Sequence, residues 1–328
     1  MHHTSASSEF DLIRHYFDGI TPSRSDVSLA IGDDAALVCV PPGQQLAISV
    51  DTLVCGVHFF PSVAPQSLGH KALAVNLSDL AAMGAEPAWA TLALTLPDPD
   101  ESWLKGFAEG FATLAKRHGV QLIGGDTTRG PLSVTLQVQG LLPEGSALKR
   151  SGARVGDGVY VTGELGDAAL CLHMLREEKG LAAPFAGLRR RLEWPQPRID
   201  AGMSLRGLAS SAIDISDGLL ADLGHILQAS GVGATIELQR LPLSELYARW
   251  FAESGDWTPT VAGGDDYELC FTAAAEREGE LHRLGVELGL RVSRIGTIEA
   301  APGMRVWMPD GKPWPVLRTG FDHFAGEE

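Results

Sequence analysis

The sequence predicts an α/β (α+β) protein built from two domains. Its 328 residues are enough for two domains, and its hydrophobic fraction of 45% is enough to bury a sizeable core. Strand-like and helix-like segments alternate along both halves of the chain. The halves are separated by a turn-rich stretch, PEGSALKRSGARVGDG (143–158), which predicts the domain junction.

The first half of the chain reads as four strands and two helices. Apolar and β-branched residues predict strands over 46–54, 88–96, 120–123 and 132–142. Helical apolar spacing predicts helices over 67–84 and 101–119, each of which ends on a glycine. After the strand at 120–123 we expect a glycine-rich loop.

The second half restarts the alternation after the junction. A strand is expected over 158–163 and a helix from about 165, followed by a charged stretch over 176–198 that reads as a solvated helix and a connection. A strand-to-helix turn follows over 211–228, then a loop over 262–271 and a strand-rich segment from 292 onward. The alternation in both halves favours two domains of related design.

Composition excludes several classes of function. The formal net charge of −15 argues against binding to nucleic acid or to an anionic membrane, which both select for clustered Lys and Arg. The four cysteines are far apart and form no Cys-x-x-Cys pair, so neither a zinc site nor a disulfide framework is indicated. The chain shows no signal peptide and no apolar run of membrane-spanning length, and we expect a cytoplasmic protein.

The segment GGDTTRG (124–130) has the composition of a phosphate-binding site. Gly124 and Gly125 lack side chains, so backbone N–H groups there can approach a phosphate closely. Asp126 is suited to hold a metal ion, and Arg129 or Arg150 could pair with phosphate oxygens.

Nine aspartates are embedded among apolar residues or glycines, whereas acids on a solvated face usually accompany other polar residues. Each has an ordinary alternative: Asp217 as a helix N-cap, Asp33 and Asp34 as turn formers, and Asp79 as one acid on a helix. Converging carboxylates would repel one another unless cations joined them, and Mg²⁺ with a nucleotide triphosphate meets that need. The nine are Asp33, Asp34, Asp51, Asp79, Asp126, Asp214, Asp217, Asp265 and Asp266.

Common nucleotide-binding motifs are absent from the sequence. It contains no G-x-x-x-x-G-K-[ST] motif and no kinase-type G-x-G-x-x-G motif that opens a strand pair. Proteins with those motifs use a lysine to contact the phosphates, whereas a site rich in Asp and poor in Lys must use metal ions for this purpose.

Eight segments together resemble the thiamine-monophosphate kinase family, within the superfamily of aminoimidazole ribonucleotide synthetase and selenophosphate synthetase. They are IGDDAA, SVDTLVCGVHF, KALAVNLSDLAAMGAEP, LIGGDTTRGP, LKRSGARVGD, AIDISDGLLADLGHI, GGDDYEL and GFDHF. The resemblance spans nearly the whole chain and implies a two-domain aminoimidazole ribonucleotide synthetase-like fold with mixed sheets packed against helices. It assigns 1–147 to an N-terminal ATP- and Mg-binding and dimerisation domain, and 148–328 to a C-terminal α/β domain that completes the active site.

The resemblance also implies an activity, namely transfer of the γ-phosphoryl group of ATP to thiamine monophosphate by a homodimer. Asp51, Asp126 and Asp217 would be central to catalysis. The Mg²⁺ ligands it implies are Asp34, Asp51, Asp79, Asp126, Asp214 and Asp217, with Ser49 and the Val50 carbonyl in lesser roles. The ATP contacts are Gly125, Asp126, Arg150, Ser216 and the segment at Glu109, and the thiamine monophosphate contacts are His58, Asp265 and Phe321.

One position departs from the family pattern. Asp265 stands where GGEDYEL usually has Glu. The carboxylate is kept, but the side chain is one methylene shorter, which favours a water-mediated substrate contact over a direct one. Asp265 with Phe321 and Trp314 could hold the thiazolium cation, with simple packing of these aromatics as the alternative.

The attacking group would be an ionised phosphate oxygen, so the reaction needs no general base and proceeds by direct in-line transfer. A phosphohistidine at His58 is the alternative chemistry, and a packed, non-catalytic histidine is the alternative role. The alternative functions are another ATP-using enzyme of the superfamily, a non-catalytic Mg-nucleotide-binding module, and a metal-dependent phosphohydrolase. Within the superfamily, a selenophosphate synthetase would be expected to carry a reactive Cys or Sec near its N-terminus, and a carbamoyl-dehydrating maturation enzyme a Cys at its C-terminal end. This sequence has neither.

Overall fold

The structure is a computed structural model that describes residues 8–176, 181, 183–315 and 320–321. The chain divides into two compact units. The first comprises residues up to Leu80 and Ala85–Gly145, and the second comprises Ala81–Gly84 and residues from Ser146 onward. Both units combine helices with sheets, which confirms the predicted α/β class.

A four-stranded sheet forms the centre of the first unit, in the order β3-β6-β4-β5. Only the β4–β5 pair is parallel. β1 and β2 form a separate antiparallel pair. The elements are α1 (Glu9–Tyr16), β1 (Val27–Leu29), β2 (Leu37–Val38), β3 (Gln44–Val54), α2 (Pro65–Ala82), β4 (Glu86–Leu96), α3 (Glu101–His118), β5 (Gln121–Arg129) and β6 (Ser133–Pro143).

Local signals set the ends of the helices in this unit. The Asp100 side chain caps α3 by accepting the backbone N–H groups of Ser102 and Trp103. Gly119 ends the helix in the left-handed conformation (φ 66°), which a residue without Cβ adopts at no steric cost. α2 begins at Pro65 in its first turn, two residues before the predicted start.

The two faces of β3 differ in exposure. Ser49, Asp51 and Leu53 alternate on the more protected face, where Leu53 is 5% exposed. The opposite face carries four large apolar side chains, which we call the β3 stripe. They are Leu46 (38% exposed), Ile48 (59%), Val50 (55%) and Val54 (36%).

The prediction of a loop at GGDTTRG is wrong, because most of this segment continues β5. Gly124 to Arg129 pair in parallel with 91–96 of β4, after a register shift between Ala90 and Thr91. Thr127 and Thr128 are β-branched and favour a strand, and the parallel partner lies far away in sequence. The chain turns only at Gly130, whose N–H donates to the carbonyl of Leu96.

The second unit contains a six-stranded sheet in the order β12-β9-β11-β7-β10-β8, in which only β12–β9 is parallel. Its strands are β7 (Gly158–Thr162), β8 (Ser211–Asp214), β9 (Gly233–Glu237), β10 (Leu269–Ala273), β11 (Val292–Glu299) and β12 (Gly303–Trp307). Its helices are α4 (Asp167–Arg176), α5 (Leu188–Glu193), α6 (Ile199–Ser204), α7 (Leu219–Ser230), α8 (Glu245–Ser254), α9 (Thr258–Ala262) and α10 (Glu278–Leu288). Leu219, Leu223 and Ile226 of α7 form a core with Val161 and Ile213 of the sheet. This packing fixes the turn between β8 and α7.

Within the described residues, no helix combines the length and hydrophobicity needed to cross a lipid bilayer.

Candidate active site

The first unit brings Ser49, Asp51 and Asp79 together where β3 packs against α2. The Ser49 hydroxyl donates to Oδ2 of Asp79 at 2.5 Å. The backbone N–H of Asp51 donates to Oδ1 of Asn76 at 3.1 Å. Asn76 and Asp79 are three residues apart and therefore lie on one face of the helix. Ser49 and Asp51 alternate on one face of β3, and these contacts set that face against the helix face that carries Asp79. Carboxylates and a hydroxyl are oxygen donors of the kind that Mg²⁺ prefers.

The same sheet keeps Asp126 apart from Asp51. β3 and β5 are its two edge strands, and the register runs from Asp51 through Leu136 and Leu92 to Gly125. Adjacent strands lie about 4.8 Å apart, so Asp51 and Asp126 are about 14 Å apart along the sheet. Mg²⁺ binds oxygen at about 2.1 Å, so in one chain these two carboxylates cannot share an ion.

Three other predicted residues of the first unit have local contacts. The backbone N–H of Asp34 donates to Oδ1 of Asp33 at 2.9 Å, which fits the turn-former interpretation of Asp33. Nδ1 of His58 accepts the N–H of Val54 at 3.0 Å, which places the ring proton on Nε2 in the neutral form. Glu109, exposed on α3, accepts a hydrogen bond from the side-chain amide of Gln66 at 3.0 Å.

The carbonyl of Val50 is the part of that residue expected to bind metal, and its side chain lies in the β3 stripe. In the sheet Val50 stands opposite Gln137 of β6. Arg129 pairs with Asp98 at 3.2 Å, and both side chains are largely exposed, at 83% and 78%. This surface pair leaves Arg150, which is exposed in the second unit, as the stronger candidate for a phosphate contact.

The second unit brings five predicted residues together at the turn after β8. Asp214 ends β8 and is 5% exposed, and Ser216 and Asp217 follow it. The Asp265 N–H donates to the Ser216 carbonyl at 2.9 Å, and the Phe321 N–H donates to the Asp217 carbonyl at 3.0 Å. Residues expected to bind metal, ATP and thiamine monophosphate therefore meet through backbone hydrogen bonds.

Asp222 holds this turn in place, and the sequence interpretation gave it no role. Its Oδ2 accepts the backbone N–H groups of Ser216, Asp217 and Gly218, each at 3.1 Å. Burial raises the pKa of Asp222 to about 7 and the Asp217 charge adds to this rise, while the three N–H groups oppose it. The proposed N-cap role of Asp217 is wrong, because Gly218 occupies the cap position of α7.

Trp314 packs against the apolar core of the second unit, and its backbone N–H donates to the carbonyl of Val306 at 2.8 Å. These contacts favour the packing interpretation of this aromatic. Phe321 is different, since 41% of it is exposed beside the Asp217 turn.

The donor chemistry fits Mg²⁺, although it forms no complete protein cage. Among the described residues, no three His, Cys, Asp or Glu side chains lie close enough together to hold a metal ion. Mg²⁺ usually takes one or two carboxylates and completes its octahedron with waters and substrate phosphates. Pairs such as Asp51 with Asp79 suit that mode of binding.

Comparison with known proteins identifies the family. The model of the AIR synthase related protein, N-terminal domain, matches residues 32–142, and that of the C-terminal domain matches 154–309. The thiamine-monophosphate kinase of Escherichia coli (strain K12) is 50% identical over 324 residues, covering 98% of this chain and 99% of that protein. This chain belongs to the thiamine-monophosphate kinase family. The relative from Bacillus subtilis (strain 168) is 36% identical over 329 residues, covering 96% of this chain and 99% of that protein.

Solved structures of thiamine-monophosphate kinases have the same fold. The crystal structure from Stenotrophomonas maltophilia K279a is 46% identical with a TM-score of 0.84, and the match covers 89% of this chain and 93% of that one. A structure described as AaThiL complexed with AMPPCP and TMP is 32% identical with a TM-score of 0.77, covering 87% and 89%. The thiamine-monophosphate kinase fold expected from the sequence motifs is confirmed.

Asn76 and Asp222 are two residues of the candidate site to which the sequence interpretation gave no role. Asn76 lies one helical turn before Asp79 in AVNLSDLA, and this spacing was a signal that both face the same strand. Asp222 is a single acid in the apolar run LLADLGHIL, and its burial at 2% exposure was predictable from that setting.

Proposed function

We propose that this chain transfers the γ-phosphoryl group of ATP to thiamine monophosphate, giving thiamine diphosphate and ADP. Family membership and the named relatives support this activity. The observation that carries it is the meeting of Ser216, Asp217, Asp265 and Phe321 through backbone hydrogen bonds in the second unit. One turn thereby supports candidate ligands for the nucleotide, the metal and the acceptor.

The acceptor is a phosphate monoester that also carries a fixed thiazolium cation. Asp265 supplies a negative charge beside that cation, and Phe321 supplies an exposed aromatic face. His58 would donate from Nε2 to an acceptor phosphate oxygen, since its Nδ1 is bound to the Val54 N–H. Charge complementarity therefore favours a cationic phosphate ester over a simple anionic one.

ATP and Mg²⁺ would be held by oxygen donors and close backbone contacts in each unit. In the first unit Asp34, Asp51, Asp79 and Asp126 would bind Mg²⁺, with Gly125 against the nucleotide. In the second unit Asp214 and Asp217 would bind Mg²⁺, and Ser216 and Arg150 would contact ATP. When bound, Mg²⁺ would neutralise the phosphate oxygens and the charge that develops on them.

The chemical step needs orientation more than proton transfer. A phosphate oxygen is already ionised near pH 7, so no side chain has to remove a proton from the attacking group. The work of the protein is to hold donor and acceptor in line at close distance, against the repulsion of two anions. Such a site gives direct transfer without a phosphoenzyme.

We also place the enzyme in a cytoplasmic homodimer, and two features of the first unit support the dimer. The β3 stripe is a row of exposed apolar side chains of the kind that protein interfaces cover. β3 and β5 are edge strands, so pairing between copies would bring Asp51 of one copy toward Asp126 of the other. A second copy could thus join two ligands that one chain holds far apart.

The function is tested by incubating the purified protein with ATP and Mg²⁺ and with thiamine monophosphate, free thiamine or no acceptor. Chromatography then follows thiamine diphosphate and ADP. We expect both products to form only with thiamine monophosphate. ADP and phosphate without thiamine diphosphate would indicate a phosphohydrolase or another acceptor, and no turnover at all would indicate a binding module.

A further inference from the structure

The loop that carries Asp265 has an unusual backbone. Asp265 (φ 70°) and Tyr267 (φ 51°) are the only described non-glycine residues with positive φ. Aspartate tolerates the left-handed region, but a bulky aromatic residue there is a true outlier. Strain of this kind persists only where surrounding contacts determine the conformation, and it concentrates at ligand-binding sites.

The side chains on either side of Tyr267 fix this backbone. Both carboxylate oxygens of Asp266 accept the N–H of Gly166 at 3.0 Å. Glu268 is 2% exposed and accepts two hydrogen bonds from the Arg198 guanidinium and one from the Thr162 hydroxyl at 2.7 Å. The loop is therefore held on two sides by charged or polar contacts.

Tyr267 itself makes contact with the predicted substrate residue. Its N–H donates to the Ile215 carbonyl at 2.8 Å, and its side chain is 8% exposed. Its hydroxyl donates to Oδ1 of Asp265 at 2.9 Å. A buried ring with its backbone anchored thus places one hydroxyl on the carboxylate, and this contact depends on the strained conformation.

We propose that Tyr267 is a positioning residue for thiamine monophosphate, which acts by fixing the direction of the Asp265 carboxylate toward the cationic part of the substrate. This inference rests on the proposed function. Aspartate has a rotatable carboxylate, so a donor on Oδ1 lowers the entropy lost when the substrate binds. Asp265 is expected to bind the acceptor, so losing this contact should affect thiamine monophosphate more than ATP.

The test is steady-state kinetics of Tyr267→Phe, which removes only the hydroxyl. We expect kcat/KM for thiamine monophosphate to fall about fivefold to tenfold, as for the loss of one hydrogen bond of ordinary net strength. kcat and the KM for ATP should stay within about twofold, and Tm should fall by no more than about 4 °C. Equal changes for both substrates, or no change for either, would overturn the inference.

Tyr160→Phe is the matched control. Tyr160 is a buried tyrosine of the same unit, stacked on Phe271, and its hydroxyl has no hydrogen-bond partner among the described residues. Its loss should leave the kinetics for both substrates unchanged. A comparable loss in Tyr160→Phe would mean that removal of any buried hydroxyl here perturbs the site, and would contradict the inference.

A double-mutant cycle separates positioning from a direct or a structural role. In an Asp265→Ala background the Tyr267→Phe change should alter kcat/KM less than about twofold, because its partner is gone. A full-sized effect in that background would refute action through Asp265. If the wild-type protein forms no thiamine diphosphate, the proposed function is overturned together with this inference. If the wild-type protein is active and Tyr267→Phe has the same kinetics, only this inference is overturned.

Discussion

Two adjacent glycines in the same strand allow a sharp test of why this segment contains both. A Cβ at Gly125 would lie 1.8 Å from the carbonyl oxygen of Leu92, and the residue has φ 154°. A Cβ at Gly124 would meet only the Thr91 methyl group at 3.9 Å, an ordinary van der Waals contact. We therefore expect Gly125→Ala to be damaging and Gly124→Ala to be tolerated.

The expected magnitude follows from the contact at Gly125. The overlap is with backbone, so β4 and β5 must separate, and overpacking costs about 1–3 kcal/mol. Backbone strain adds about 1–3 kcal/mol, for a total of about 2–6 kcal/mol. For Gly124→Ala the free energy of unfolding should stay unchanged or rise by up to about 1 kcal/mol, because alanine restricts the unfolded chain.

Urea unfolding of both variants, followed by circular dichroism, measures this difference. At a slope of about 3 kcal/mol per molar, the midpoint for Gly125→Ala should fall by about 1–2 M, with no fall for Gly124→Ala. If the two variants unfold at the same urea concentration, β5 can move away from Leu92 at little cost in free energy. The close-approach argument for Gly125 would then be wrong.

Three further predictions concern the site and the assembly. Asp51→Asn and Asp126→Asn should each abolish turnover. Refolding the two variants as a mixture should restore about a quarter of wild-type activity if each site of a two-fold dimer takes one aspartate from each copy, because half of the dimers are then mixed and one of their two sites is intact. No restoration, with dimers present, would place both residues of a site in one chain. Phe321→Ala should raise the KM for thiamine monophosphate more than that for ATP in steady-state assays, and equal increases would make Phe321 structural. Ile48→Lys, in the β3 stripe, should shift the protein to a monomer in light scattering after size exclusion. Val286→Lys, at a residue 70% exposed on the second unit, should leave it dimeric, and an unchanged mass for Ile48→Lys would remove the stripe from the interface.

The sequence predicted best those elements whose signals are local. α3 has an aspartate at its N-cap, a glycine at its C-cap and continuous apolar spacing, and it lies within one residue of the expected range. The strand over 46–54 was recognised within a longer β3, Gln44–Val54. Local propensity decides such elements before any tertiary contact is known.

The segment at 124–130 was predicted wrongly for a physical reason. Two glycines are typical of a loop, but here they let β5 run close beside β4, which is about thirty residues earlier in the chain. No local pattern reports a parallel partner at that distance. The candidate site shows the same limit, since Asp222 binds a turn four to six residues away, whereas Arg198 reaches Glu268 across 70 residues.

Buried charges in the second unit are difficult to explain by stability alone. The Arg198–Glu268 pair is largely buried, and burying two ions costs free energy that their attraction often fails to recover. Burial raises the pKa of Asp266 well above its ordinary value, so its ionised form is also costly. Apolar residues of the same volume are often as stabilising as a buried ion pair, but they could not make the hydrogen bonds that anchor the loop of Asp265 and Tyr267. We therefore expect Glu268→Gln to lower kcat/KM for thiamine monophosphate under conditions where the variant is still fully folded, as judged by urea unfolding. A loss of activity that only follows the loss of folded protein would argue that the pair serves stability alone.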